Sequence, residues 1–295
     1  MKHNVKNTVM LFAAAIIWGF AFVAQSAGME YVGPFTFNAV RCLVGGGVLL
    51  PVAMYWGKGE ERRGINKEVL IGGVLCGLLL TGAMNLQQVG IMTTTVGKAG
   101  FLTALYIIIV PVLGLFFKKA CAPTVWIGVG CSLVGLYLLC MSGDSQQVAT
   151  GDWLLLGCAV IFSVHILVID YFSPKVNGVW LSCIQFLVAG VLSSVLMFTQ
   201  ETPTLPSLWE AKWSILYAGV LSSGVAYTLQ ILGQKNYNPT VAVLILSLES
   251  SFSVLGGFLI LKETMSGREL IGCGLMFVAI VLAQLPGRTR KKTAK

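Results

Sequence analysis

Glu249 is an acidic side chain set deep in an apolar run, and that placement makes it the first residue to ask about. The run 239–261 opens at Pro239. Ten residues of helix at about 1.5 Å each carry the carboxylate about 15 Å along, near the centre of a bilayer. An acidic group there costs roughly 2.5–3.5 kcal/mol on insertion scales. It must therefore face a polar cavity, pair with a cation or hold a proton, and each of these is a substrate-site or proton-relay chemistry. A structural carboxylate, capping an interrupted helix or bonded to neighbouring serines, is the alternative reading.

Three further ionisable groups in apolar runs could take part. His165 is one of two histidines, and an ordinary imidazole titrates near neutrality, which suits a proton relay as well as a satisfied hydrogen-bonding niche. Lys98 opens the run 97–117 and can contact an anionic substrate group or snorkel to the interface. Arg41 lies seven residues, about 10 Å, inside the run 34–56. For Arg41 a structural pairing with backbone carbonyls or a carboxylate is expected. Polar side chains also recur at helical spacing: Thr81, Asn85 and Gln88 in one run, and Ser223, Tyr227, Gln230 and Gln234 in another. Trp18, Phe22 and Gln25 make a mixed aromatic and polar face, and Tyr106 follows Lys98 on nearly the same side of its helix. In a membrane such stripes either line water or bond between helices.

The elements that position these groups follow from composition. With 56% hydrophobic and 11% charged residues, the 295-residue chain has too little polar surface to coat a soluble particle, so an all-α integral membrane protein is expected. Runs of about 20 apolar residues, the length that spans a bilayer, fall at 8–28, 34–56, 69–90, 97–117, 124–141, 152–172, 179–198, 213–233, 239–261 and 267–285. Ten transmembrane helices leave only loop-sized polar interruptions. The net charge of +8 is distributed asymmetrically: an inside N-terminus puts 15 of the 20 basic residues in the cytoplasm and only Lys212, Lys262 and Arg268 outside. Both termini are then cytoplasmic, and the basic tail 286–295 reads as a topology anchor at an anionic leaflet, with no nucleic-acid partner implied.

The chain repeats itself at a spacing near 144 residues. Trp18-Gly19 matches Phe162-Ser163; Leu43, Val44 and Gly46 match Leu187, Val188 and Gly190; Leu86-Gln87 and Gly90 match Leu229-Gln230 and Gly233 after a one-residue shift. Two copies, 8–141 and 152–285, each hold five runs, so the second begins on the opposite side of the membrane and the repeat is inverted. The first run resembles a signal peptide, but its counterpart at 152–172 argues for retention. Within the runs, Pro111 and the pair Gly256-Gly257 are candidate hinges, close helix packing being the competing account of the glycines. Small residues such as Gly128, Cys131 and Ser132 offer either a homodimer contact or packing within the monomer.

Trp18-Gly19, Arg41, Asn85 to Gly90, Thr94 to Tyr106, Val110-Pro111 and Leu248-Glu249, carried on two tandem copies over about 8–285, resemble the EamA-type permeases of the drug/metabolite transporter superfamily. The resemblance implies a five-plus-five inverted arrangement around a central cavity walled by runs one, three, four, six, eight and nine, which leaves Arg41 outside the wall. Many such permeases follow the glutamate with proline; Ser250 stands here, so no proline kink is encoded. A secondary transporter at the cell membrane is expected, moving a small polar or amphipathic metabolite, with amino acid or related metabolite export as the leading case and proton coupling through Glu249 or His165 as a hypothesis. Candidate substrate contacts are Trp18, Gln25, Asn85, Gln88, Lys98, Tyr106, Tyr227, Gln230 and Glu249. The sequence has no GxxxxGK[ST] for nucleotide, no HExxH and only two histidines, so neither ATP drive within this chain nor a zinc enzyme is expected, and no cofactor is implied. A channel or lipid scramblase, or a non-transporting membrane protein, are the competing classes.

Overall fold

The computed structural model describes residues 5–56, 64–93, 96–116, 123–140, 150–260 and 266–284, and every regular element among them is helical. The first half holds α1 (Val5–Gly28), α2 (Pro34–Trp56), α3 (Lys67–Ile91), α4 (Val96–Ala104), α5 (Tyr106–Phe116) and α6 (Pro123–Cys140). The second holds α7 (Thr150–Phe172), α8 (Gly178–Gln200), the short α9 (Leu205–Glu210) and α10 (Lys212–Leu216), a π-helical stretch Tyr217–Ala226, α11 (Tyr227–Gln234), α12 (Pro239–Leu246), α13 (Glu249–Ile260) and α14 (Gly267–Gln284). Among the described residues eight helical stretches are long and apolar enough to cross a membrane, three of them composites (Ala99–Phe116, Lys212–Gln234 and Pro239–Ile260), and Pro123–Leu138 is a shorter apolar one. Leu70, Val74 and Leu78 on α3 and Val191, Val195 and Phe198 on α8 are exposed, the apolar faces expected of a membrane protein.

Helix starts are set locally. The side chains of Asn66, Asn177 and Asn238 accept hydrogen bonds from the first-turn amides of α3, α8 and α12, and Pro34, Pro123 and Pro239 open α2, α6 and α12. The start of α2 is capped from afar: Glu201, just past α8, accepts from Phe35 N at 2.9 Å, Thr36 N at 2.8 Å and Thr36 Oγ1 at 2.5 Å.

The packing pairs off when the two halves are exchanged. α1 packs on the π stretch and α11 while α7 packs on α3; α1 packs on α13 while α7 packs on α4 and α5; α2 lies on α8, and α6 on α14. The close approaches repeat atom by atom. A Cβ built on Gly46 would stand 2.8 Å from Leu187 Cδ2, and one on Gly190 would stand 2.7 Å from Leu43 Cδ2. A Cβ built on Gly90 would stand 2.8 Å from Leu155 Cγ, and one on Gly233 would stand 2.9 Å from Leu11 Cγ. Only glycine lets these backbones come so near.

A third pair locates the irregularity in the repeat. Gly77 packs on Val188 and the Gln185 carbonyl as Gly219 packs on Val44 and the Arg41 carbonyl, a spacing of 142, whereas Gly90 and Gly233 stand 143 apart. The second half therefore fits one extra residue between the two contacts. The π stretch absorbs it, with Tyr227 N donating to Ser222 O five residues back. Gly128 and Ser132 are buried inside the chain, and Gly135 packs on Gly272 and Met276 of α14, so this small-residue face is used within the monomer.

Candidate functional site

Two long helices are broken at matching places. The chain leaves α4 at Ala104, turns at Leu105 and resumes as α5 at Tyr106; it leaves α12 at Leu246, turns at Ser247 and Leu248 and resumes as α13 at Glu249. Leu105 and Glu249 are 144 apart, so the interruptions are repeat mates. Neither break needs a proline. Ser247 Oγ donates to Leu244 O at 2.8 Å and Ser247 N to Val243 O at 2.9 Å, which satisfies carbonyls at the end of α12. Pro111 sits inside the continuous α5, so the interruption expected there falls at Leu105 instead. Glu249 is the first residue of α13, where the helix dipole favours an anion. The Tyr106 hydroxyl donates to Glu249 Oε1 at 2.8 Å, joining the first residue after one break to the first residue after the other.

Around that bond lies a cavity of about 50 Å³, room for a water or two and well short of the roughly 300–1,000 Å³ of a ligand pocket. Trp18, Phe22 and Gln25 of α1 and Phe162, His165 and Ile166 of α7 line it. Gln87, Thr103 and Tyr106 come from the first half, and Ser222, Tyr227, Gln230, Leu246 and Glu249 from the second. Several of the lining residues are repeat mates: Trp18 and Phe162, Phe22 and Ile166, Ala21 and His165, Gln87 and Gln230.

Arg41 corrects the sequence reading, because α2 does reach the cavity and no carboxylate pairs with this guanidinium among the described residues. Its Nε donates to Asn38 Oδ1 at 2.9 Å, and Asn38 Nδ2 donates in turn to Met84 O at 3.0 Å and to Asn85 Oδ1 at 3.1 Å. Asn85 Nδ2 continues to Ser193 Oγ at 2.9 Å. This network through α2, α3 and α8 fixes Arg41 and leaves its terminal nitrogens to the cavity. Asn38, three residues before Arg41 on the same face, is the signal that could have located the anchor.

Of the candidates from sequence, the structure brings together Trp18, Gln25, Tyr106, His165, Tyr227, Gln230 and Glu249. Trp18 Nε1 donates to Ser222 O at 3.4 Å, and its ring packs edge-on to Tyr227 at 4.6 Å. His165 Nε2 faces Gln185 Oε1 at 3.0 Å, so Nε2 carries the proton and Nδ1 remains an acceptor with no partner among the described residues. Gln25 Oε1 and Gln230 Oε1 are likewise buried without a partner among them. Asn85 and Gln88 stand outside the lining: Asn85 bonds between helices, and the neighbouring Gln87 takes the place expected of Gln88. The Lys98 side chain lies outside the described residues. Gly256 and Gly257 are buried in α13, where a Cβ on Gly256 would meet Phe20 Cδ1 at 3.2 Å.

Comparison with known proteins gives this geometry a family. An uncharacterized transporter of Archaeoglobus fulgidus is 27% identical over 277 residues, covering 93% of this chain and 84% of that one. The uncharacterized inner membrane transporter YedA of Escherichia coli K12 is 24% identical over 286 residues, covering 93% and 89%. A crystal structure shares the fold with a TM-score of 0.81 at 20% identity, over 97% of this chain and 98% of that one. Residues 6–141 and 149–285 each match the EamA-like transporter family. The chain is a multi-pass membrane transporter belonging to the EamA-like transporter family, and with it to the drug/metabolite transporter superfamily.

Proposed function

We propose that this chain is a secondary carrier of ten membrane helices, two five-helix repeats at 8–141 and 152–285 in inverted topology with both termini cytoplasmic, that alternates access to the cavity between them. Its substrate is a small polar or amphipathic metabolite, an amino acid or related compound, moved outward across the cell membrane. The observation that carries this reading is the pair of repeat-related helix breaks tied by Tyr106 and Glu249 at the cavity. Interrupted helices at the contact of two repeats place backbone dipoles and polar groups at membrane depth, where a carrier binds its cargo. At about 50 Å³ the cavity is closed to a metabolite, so loading requires the repeats to part. Glu249 is assigned as the coupling carboxylate and His165, whose Nδ1 has no partner among the described residues, as the auxiliary proton acceptor.

Counterflow in proteoliposomes tests the proposal. Saturable counterflow that depends on Glu249 supports it; ohmic current without saturation would identify a channel instead. If Glu249→Gln binds substrate yet loses its response to a pH gradient, proton exchange through this residue stands, and an unchanged response removes it.

A further inference from the structure

Arg41 and Glu249 present opposite charge to one cavity and are not paired with each other. Arg41 is 3% exposed and Glu249 7%. Each is held by a neutral neighbour: Arg41 Nε by Asn38 Oδ1 at 2.9 Å, Glu249 Oε1 by the Tyr106 hydroxyl at 2.8 Å. The terminal nitrogens of Arg41 and Oε2 of Glu249 have no hydrogen-bond partner among the described residues, and both side chains line the cavity. The Phe37 ring, 5.5 Å from the guanidinium carbon, adds an apolar backing that does not neutralise it. Two opposite charges kept apart in a water-poor space are costly alone and strongly attractive to groups that complement them. The Asn38–Asn85–Ser193 network holds Arg41 in place when a direct ion pair would be the simpler arrangement.

We propose that Arg41 and Glu249 form a two-pole clamp for a zwitterion, Arg41 taking the carboxylate through its fork of N–H groups and Glu249 Oε2 taking the protonated amine. The apolar remainder of the substrate lies against Trp18, Phe22 and Phe162. The guanidinium fork matches a carboxylate in two parallel hydrogen bonds, which an ammonium cannot do. Specificity then follows from unmet charge: a molecule with one pole leaves the other buried and uncompensated. This inference rests on the carrier reading of the same cavity and narrows its substrate class.

The test is a set of near-isosteres differing only in charged groups, with affinity read from the rise in melting temperature of the purified full-length protein. Phenylalanine, phenethylamine and 3-phenylpropionate form one trio; leucine, isopentylamine and 4-methylpentanoate form a second, and the remaining common amino acids cover side-chain size. The clamp predicts that the best zwitterion binds at least tenfold tighter than either one-charge analogue. In Arg41→Gln that zwitterion weakens at least tenfold and loses its advantage over the amine; in Glu249→Gln it loses its advantage over the acid. A merely structural Arg41 would weaken all three compounds alike, and that result overturns the proposal. So does an amine that binds as tightly as its amino acid in the wild-type protein, or no response to any zwitterion. Should Arg41→Gln fail to fold, Arg41→Lys keeps the charge without the fork and is expected to weaken the zwitterion while preserving the order of the trio. Counterflow separates the two readings: carriage of a one-charge compound alone sinks the clamp and leaves the carrier standing, whereas binding without any counterflow sinks the carrier.

Discussion

Gly19→Ala probes how tightly the helix carrying Glu249 is seated. A methyl group at Gly19 would overlap Phe252 Cβ and lie 2.8 Å from the Phe252 carbonyl carbon and 2.9 Å from the Glu249 carbonyl oxygen. The last two are backbone atoms in the first turn of α13, so no rotamer change relieves the contact. Comfortable separation between such atoms is about 3.5 Å or more, so α1 and α13 must part by something approaching 1 Å. Overpacking of this kind costs about 1–3 kcal/mol, and glycine to alanine in a helix returns up to about 1 kcal/mol. A net loss of about 1–2 kcal/mol remains. At roughly 2–4 °C per kcal/mol, the slope for chains of about 150–250 residues, the melting temperature should fall by about 2–8 °C. A shift of that size along the Tyr106–Glu249 bond takes it from 2.8 Å past hydrogen-bonding distance, so transport should fall with stability. The assay is thermal unfolding in detergent followed by tryptophan fluorescence, with counterflow on the same preparations. Gly47→Ala is the control: a Cβ there meets nothing within 4 Å, and its melting point should be unchanged or slightly raised. Wild-type melting and transport in Gly19→Ala, or an equal loss in Gly47→Ala, would refute the reasoning.

The repeat packing predicts matched costs. Gly46→Ala and Gly190→Ala each press a methyl group on the opposite leucine and its backbone nitrogen, at 3.1 Å and 3.0 Å from that nitrogen, so each should lose about 1–3 kcal/mol; thermal melts in which one is tolerated and the other is not would contradict the equivalence. Glu201→Gln replaces one of two acceptor oxygens serving Phe35, Thr36 N and Thr36 Oγ1 by a donor and should cost about 1–2 kcal/mol, seen as a lower melting point, with unchanged melting counting against the cap. Tyr106→Phe removes the donor to Glu249 Oε1, a charge-assisted bond worth about 1.5–3 kcal/mol; stability and counterflow should both fall, and a silent substitution would show that the bond does not tie the two breaks.

Glu249 was legible because an acid in an apolar run must be explained, and the helical segments were legible because hydrophobic runs of membrane length have few alternatives. Arg41 was equally visible as a charge, but its direction was not: a helix buried on several faces does not say which face meets a cavity, and only Asn38 at the preceding turn hints at an anchor. Leu105 and Ser247-Leu248 carry neither proline nor glycine, the strong local breakers, and only Ser247, bonded back to Leu244 O, offers a local device at one of the two breaks. The adjacent amides Gln87 and Gln88 point about 100° apart on a helix, and the stripe with Thr81 and Asn85 selected the one that faces away from the cavity. A one-residue shift of the repeat was readable, whereas the extra residue taken up by the π stretch at Tyr217–Ala226 was not.

Part of the cavity wall is duplicated, in four pairs of repeat mates, while its charges are not. Trp18 is the mate of Phe162, Phe22 of Ile166 and Gln87 of Gln230, but the repeat mate of Glu249 is Leu105 and that of Arg41 is Gln185, and both of these lie outside the lining. A carrier that alternates by exchanging the roles of its repeats needs walls of similar shape in both end states, while one set of charges at the shared centre serves both. The small differences between mates then set which state is favoured. Trp18 donates to Ser222 O at 3.4 Å, and Phe162 has no donor with which to make the equivalent bond. Trp18→Phe makes this one pair of mates alike and removes a bond at the weak end of about 0.5–1.5 kcal/mol. On the proposed alternation, a loss of about 0.5–1 kcal/mol shifts the ratio of inward- to outward-facing molecules about two- to fivefold. Side-specific labelling of a single reporter cysteine placed at each mouth, read with and without substrate, measures that ratio. An unchanged ratio with intact folding would mean that the indole bond persists in both states and that the asymmetry lies elsewhere than in this pair.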